Sequence, residues 1–148
     1  MKSEPDVFSI DDLARAPRKT TAWDGVRNYQ ARNFMRDGMK KGDQIFFYHS
    51  NCDVPGIYGI AKVSSAAYPD ETAFDPTNDH YDPKSKREAP QWYLIDVTYV
   101  RKFAHPVSLE ALKRHSEQLP EMLILRRGNR LSVTPIAKDE WDFVISLS

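Results

Sequence analysis

The sequence predicts a mixed α+β fold, a small β-barrel-like sheet with peripheral helices, from two observations. Helix-type and strand-type patterns follow one another in mixed order, without the regular strand-helix alternation of a doubly wound sheet. The strand-type runs are short, rich in aromatic and β-branched residues, and bounded by glycine, proline and polar turns. With 148 residues, 41% of them hydrophobic, the chain can fill one core and is read as a single domain spanning 1–148.

The first helix is announced by "VFSIDDLARAP". Ser9 caps it, Asp12 takes the capping-box position, Phe8 staples onto Leu13, and Pro17 limits it. Asn28 caps a second helix, Tyr29 to Arg36, with Ala31, Phe34 and Met35 spaced as a buried stripe and Gly38 as its stop. "KKGD" is a turn. "QIFFYHS" and "GIYGIAKVSSAAY" are then neighbouring strands, the second carrying small residues where backbones approach closely. Pro69 to Pro90 holds four prolines and many turn-forming residues, which predicts a long ordered loop anchored by Phe74 and Tyr81. In "WYLIDVTYVRKF", Tyr93, Ile95, Val97 and Tyr99 alternate with Asp96 and Thr98, the pattern of a half-buried strand. Ser108 starts a helix with a Val107–Leu112 staple, "RLSVTP" reads as a strand, and "KDEWDFVISL" as a closing helix with Trp141, Val144 and Ile145 inward.

Lys+Arg and Asp+Glu are both 21, so any attraction to phosphate must come from a local patch. The single cysteine, Cys52, can form neither an intramolecular disulfide nor a multi-thiolate metal site, which fits a reducing compartment. No run approaches the ~20 apolar residues of a membrane span. A soluble intracellular protein is expected, cytoplasmic, or nuclear in a eukaryote. P-loop, GxGxxG and GxSxG motifs are lacking. Asp75, Asp79, His80 and Asp82 match neither an EF-hand nor an HExxH helix, and Asx turns explain them more economically. No metal and no cofactor are expected.

Trp23, Arg27, Asn28, Tyr29 and Gln30 combine aromatic faces with groups that donate and accept, which suits a flat polar heterocycle. The same residues also read as core aromatics beside an Asp24–Arg27 pair. Tyr48, His49 and Ser50 end a strand, a common ligand position, or alternatively satisfy the following turn. His49 and Cys52 offer a weak thiol-and-base pattern. Arg126, Arg127 and Arg130 surround a Gly-Asn turn suited to phosphate contact, or simply to solvent. Lys86 and Arg87 near Trp92 could extend such a surface.

Taken in order, "MKSEP", "WDGVRNYQARN", "FFYHSNC", "PGIYGIAKV", "AYPDETAFD", "HYDPKS", "DVTYVRKF" and "RLSVTP" resemble the EVE domain family over nearly the whole chain. The resemblance implies a PUA-like fold related to the YTH and ASCH domains. It also implies a non-catalytic reader of modified bases in DNA or RNA, with methylated or hydroxymethylated cytosine as the leading ligand. Carried over residue by residue, Trp23, Val26, Arg27, Asn28, Tyr29 and Gln30 border the base pocket, with Tyr48, His49 and Ser50 facing them. Members of the family carry a few apolar residues, one aromatic, before the counterpart of "MKSEP", so either a shortened first strand or a start assigned late is expected here. The expected partner is modified DNA or RNA to a monomeric protein, with no membrane partner. Two alternatives stand beside this reading: a nucleic-acid-processing enzyme of the ASCH type, and an interaction module with a vestigial pocket.

Overall fold

The computed structural model describes residues 1–148. The chain opens with a two-residue strand β1, Lys2–Ser3. The Met1 amino group donates to the Phe46 carbonyl, and burial lowers its pKa to about 5. Helix α1, Ile10–Arg15, starts in a full capping box: the Ser9 hydroxyl accepts from the Asp12 amide, and the Asp12 carboxylate accepts from the Ser9 amide. Strand β2, Thr20–Ala22, had no clear pattern in sequence.

Asn28 caps α2, Tyr29–Asn33, through its side-chain oxygen and the Ala31 amide. The expected helix to Arg36 does not continue as an α-helix. Phe34–Gly38 forms a π turn, closed by the Met39 amide on the Phe34 carbonyl, and the chain leaves in extended geometry at Met39. Gly38 is therefore no left-handed stop. It lies inside the turn.

Strands β3, Gln44–His49, and β4, Gly56–Val63, pair antiparallel as predicted. Two short strands, β5 (Tyr68–Pro69) and β6 (Tyr93–Leu94), pair with each other at the base of the long loop. Strand β7 runs from Asp96 to Ser108, 13 residues, and hands over to α3, Leu109–Arg114, at the Ser108 cap. Helix α4, Lys138–Leu147, closes the chain. "RLSVTP" does not form a strand. The Leu131 amide is taken by the Asn129 side chain, and Ser132 gives one carbonyl to the Lys2 amide.

The main sheet has the order β1-β3-β4-β7-β2, with β1 parallel to β3 and the other pairs antiparallel. Register shifts at Phe47/Tyr48, Ile57/Gly59 and Ile60/Ala61 bend it into a curled half-barrel. Both faces are covered. Ile45 and Phe47 point into a core with Ile10, Leu13, Ala31 and Met35, whereas Phe46 and Tyr48 point into a second core with Leu112 and Val144. Two-sided burial explains why "IFFYH" is continuously buried rather than alternating.

Gly59 marks a close approach of two backbones, as the small residues of this strand suggested. A Cβ at that position would lie 2.5 Å from the Arg101 carbonyl oxygen, whereas one at Gly38 would meet nothing. Gly59→Ala should therefore cost about 1–3 kcal/mol in urea denaturation, the usual range for overpacking. Gly38→Ala should be neutral or stabilising by up to about 1 kcal/mol.

Candidate functional site

Curling brings the two edges of the sheet together around one cavity of about 350 Å³. Lys2 and Ser3 of β1 line one side, Thr21 and Ala22 of β2 the other. Val7, Phe8, Trp23, Asp24 and His80 complete the wall. The Trp23 ring is held edge-on against Phe47, centroids 5.5 Å apart at 86°, and its amide donates to the Ile95 carbonyl.

The wall is fixed from behind by Asp70, which is fully buried. Asp70 Oδ2 accepts from the Gly25 amide at 2.9 Å and from Arg27 Nη1 at 3.0 Å, while Oδ1 accepts from the Thr72 amide and hydroxyl. Burial alone would raise this carboxyl, but the Thr72 hydroxyl, the Gly25 amide and Arg27 together hold it below the usual carboxylate range. Arg27 also donates twice to the His80 carbonyl and once to Thr72 Oγ1. His80 is thereby pulled onto Gly25, where a Cβ would lie 2.6 Å from the imidazole. Only glycine fits this spot, and its φ of +80° requires glycine as well.

The loop bearing His80 is ordered by its own side chains. Asp75, Asn78 and Asp82 each accept from an amide two residues on, so the aspartates are used in Asx turns. The anchors differ from those expected. Tyr81 is exposed and Phe74 only partly buried, whereas Asp70, Ala73 and Ser85 are buried and Trp92 Nε1 donates to Asp82.

The residues singled out from the sequence separate in the structure. Trp23 lines the cavity, and Arg27 braces its wall. Val26 is in the core, Asn28 is the α2 cap, and Gln30 is exposed. Tyr29 stacks on Trp92 outside the cavity, 4.7 Å at 22°, and donates to Gln91. Tyr48 belongs to the core on the opposite sheet face from Phe47, and burial pushes its hydroxyl up to about 12. His49 Nε2 accepts the Ile10 amide at the start of α1, and its ring stacks on Tyr58. The Ser50 amide donates to the Ser3 carbonyl, behind the cavity wall. Arg127 and Arg130 are exposed and free of ion pairs, and Arg126 lies 3.8 Å from Glu121. Sequence reasoning missed Lys2, Ser3, Phe8 and Asp70, because only the curl of the sheet and the return of the loop bring them here.

A larger cleft, about 840 Å³, opens between β3 and α4. Its aromatic rings Phe46 and Trp141 are stacked on each other at 3.6 Å, and Lys138 is paired with Asp142. The smaller cavity is where an aromatic wall meets charged groups without partners: no hydrogen bond or ion pair engages the side chains of Lys2 and Asp24.

A curled α+β half-barrel with helices on both faces defines the class as PUA-like. The chain belongs to the EVE domain family, whose model matches residues 1–147. It is 47% identical to human thymocyte nuclear protein 1, over 99% of this chain and 72% of that protein. Among solved structures, it superposes on human THYN1 in complex with 5-methylcytosine-containing DNA with a TM-score of 0.94, at 47% identity, covering 99% of this chain and 94% of that one. A Pseudomonas putida protein matches with a TM-score of 0.94 at 46% identity, covering 99% and 96% of the two chains. No helix is long and apolar enough to cross a membrane.

Asp70→Ala should destabilise the protein by about 3–5 kcal/mol in chemical denaturation, because it strands Arg27 and the Gly25 amide. His49 gives a pH signature. Burial lowers its pKa, so the folded state binds this proton less readily than the unfolded chain. Its contribution to stability is complete above about pH 6.5 and is lost as pH falls through the depressed folded value. Denaturation midpoints measured from pH 8 to pH 5 should fall, the buried Met1 amino group contributing to the same slope, and His49→Gln should remove part of it.

Proposed function

We propose that the cavity between β1 and β2 holds a modified base extruded from nucleic acid, with 5-methylcytosine in DNA as the leading ligand, and that the protein is a non-catalytic reader. The likeness to human THYN1 bound to 5-methylcytosine-containing DNA, close over nearly the full chain, carries this reading. The cavity supports it independently: its volume, about 350 Å³, falls in the range of small-molecule sites, and it offers the Trp23 ring beside unpaired polar groups. Hydroxymethylcytosine and modified RNA bases are the neighbouring ligand classes.

Energetics set the expected performance. Extruding a base costs a few kcal/mol in a duplex and less in a single strand. Stacking on an aromatic ring returns ~1–3 kcal/mol. Burying one methyl adds only about 0.8 kcal/mol, roughly fourfold in affinity. Base identity must come from the polar groups.

An enzymatic reading based on His49 and Cys52 is weakened by the commitment of His49 Nε2 to the Ile10 amide. A lone pair already accepting a hydrogen bond is not free to take a proton from a thiol.

Fluorescence anisotropy with otherwise identical single- and double-stranded oligonucleotides tests the reading. Wild-type protein should prefer 5-methylcytosine over cytosine by a few-fold, and Trp23→Ala should weaken both by about 5- to 150-fold while leaving the fold intact. Unchanged binding by a folded Trp23→Ala variant refutes the pocket. Mass analysis of the recovered oligonucleotides should show no product; turnover would restore the enzyme reading. Arg127→Ala and Arg130→Ala should weaken modified and unmodified strands alike and each reduce the salt slope by about 1, since the turn adjoins the rim through the Ser132 carbonyl on Lys2.

A further inference from the structure

We infer that Asp24 is the specificity-determining residue of this cavity, accepting a hydrogen bond from the exocyclic 4-amino group of the base and so selecting a cytosine ring over a thymine ring. The inference rests on the reading of the cavity as a base pocket.

The polar inventory of the wall singles out Asp24. The Ser3 hydroxyl donates to the Phe8 carbonyl and, like the Thr21 hydroxyl, keeps only the weaker acceptor capacity of a neutral oxygen; the His80 imidazole is packed against Gly25, and the Lys2 ammonium can only donate. Asp24 supplies the one carboxylate among the lining residues, an acceptor without donors of its own. The neighbouring carboxylates are occupied: Asp70 by Gly25, Arg27 and Thr72, and Asp82 by Trp92 and the Lys84 amide.

Its backbone is held on three successive residues. The amides of Trp23, Asp24 and Gly25 donate to the Ile95 carbonyl, the Ala22 carbonyl and the Asp70 carboxylate. The carboxylate therefore sits at the cavity on a rigid mount, which is what recognition of one edge of a heterocycle requires. The wall takes some water from the carboxylate although the residue is still exposed, which raises its pKa, and the nearby Asp70 charge adds to the effect. A bound N–H donor would replace the water that a base displaces.

The chemistry of the two rings makes the discrimination. 5-Methylcytosine and thymine carry the same methyl at C5, so stacking and methyl burial cannot separate them. At position 4, cytosine presents an amino donor and thymine a carbonyl acceptor. A carboxylate pairs with the first and opposes the second.

The test uses single-stranded oligonucleotides that differ only in 5-methylcytosine or thymine at one position, with binding followed by anisotropy. Wild-type protein should prefer 5-methylcytosine by about 5- to 150-fold, the usual discrimination of a good base-edge contact. Asp24→Asn, whose amide both donates and accepts, should bring the ratio close to one. Removing a negative charge also raises affinity for any nucleic acid, so the ratio, not the absolute affinity, is the readout. Asp24→Ala should reduce the ratio without a gain for thymine beyond that general rise. Retention of the wild-type ratio by folded Asp24→Asn overturns the inference while leaving the base pocket standing. Failure of wild-type protein to bind either strand overturns both.

Discussion

A single buried carboxylate, Asp70, decides the shape of the cavity. Its two oxygens receive the Gly25 amide, the Arg27 guanidinium and the Thr72 amide and hydroxyl, so two distant stretches of chain end on one group. A fully buried carboxylate is tolerated only when its lone pairs are filled, and here they are. The arrangement transmits itself: Arg27 holds the His80 carbonyl, and the imidazole then closes over Gly25. The signature "WDGVR" is thus mainly a device for building a wall. Its charged pair is Arg27 with Asp70 rather than Arg27 with Asp24, which leaves Asp24 unengaged.

The sheet supplies the other half of the constraint. Its edge strands β1 and β2 are two and three residues long and are separated by three strands in the sheet order, yet both line the same cavity. Only a curled sheet allows this. The register shifts along β3, β4 and β7 produce the curl, and Gly56 and Gly59 permit the close backbone contact at the bends, where any Cβ would strike β7. The ends of a sheet that would otherwise invite further strand pairing are turned inward toward a ligand-sized space.

How much of this was legible beforehand follows from how local each cause is. The capping box at Ser9, the Asn28 cap, the Ser108 cap and the β3–β4 pair depend on neighbours within a few residues, and they read correctly. The π turn after Asn33 was not legible, because a helical stripe looks the same until the hydrogen bonds shift by one residue. "RLSVTP" has the composition of a strand, but Asn129 captures its Leu131 amide. Of the residues that the family resemblance singled out, Trp23 lines the cavity. Tyr29, Tyr48 and His49 have binding-site chemistry but structural placements: against Trp92, in the opposite core, and on the first amide of α1. No local pattern distinguishes a ring that stacks on a base from one that stacks on Trp92.

The balance of charge gives the cavity its division of labour. With 21 basic and 21 acidic residues, the protein has no overall field to hold a polyanion, so any attraction to phosphate must come from local side chains. Such contacts carry no sequence information. The methyl group of a modified cytosine is worth too little to make up the difference, since about 0.8 kcal/mol separates it from hydrogen. A reader built on this fold must therefore draw its selectivity from the few polar atoms that meet the base edge inside a rigid wall. On the proposed reading, an unpaired carboxylate beside a fixed indole meets that requirement at small cost to the fold, because Asp24 is exposed in the free protein.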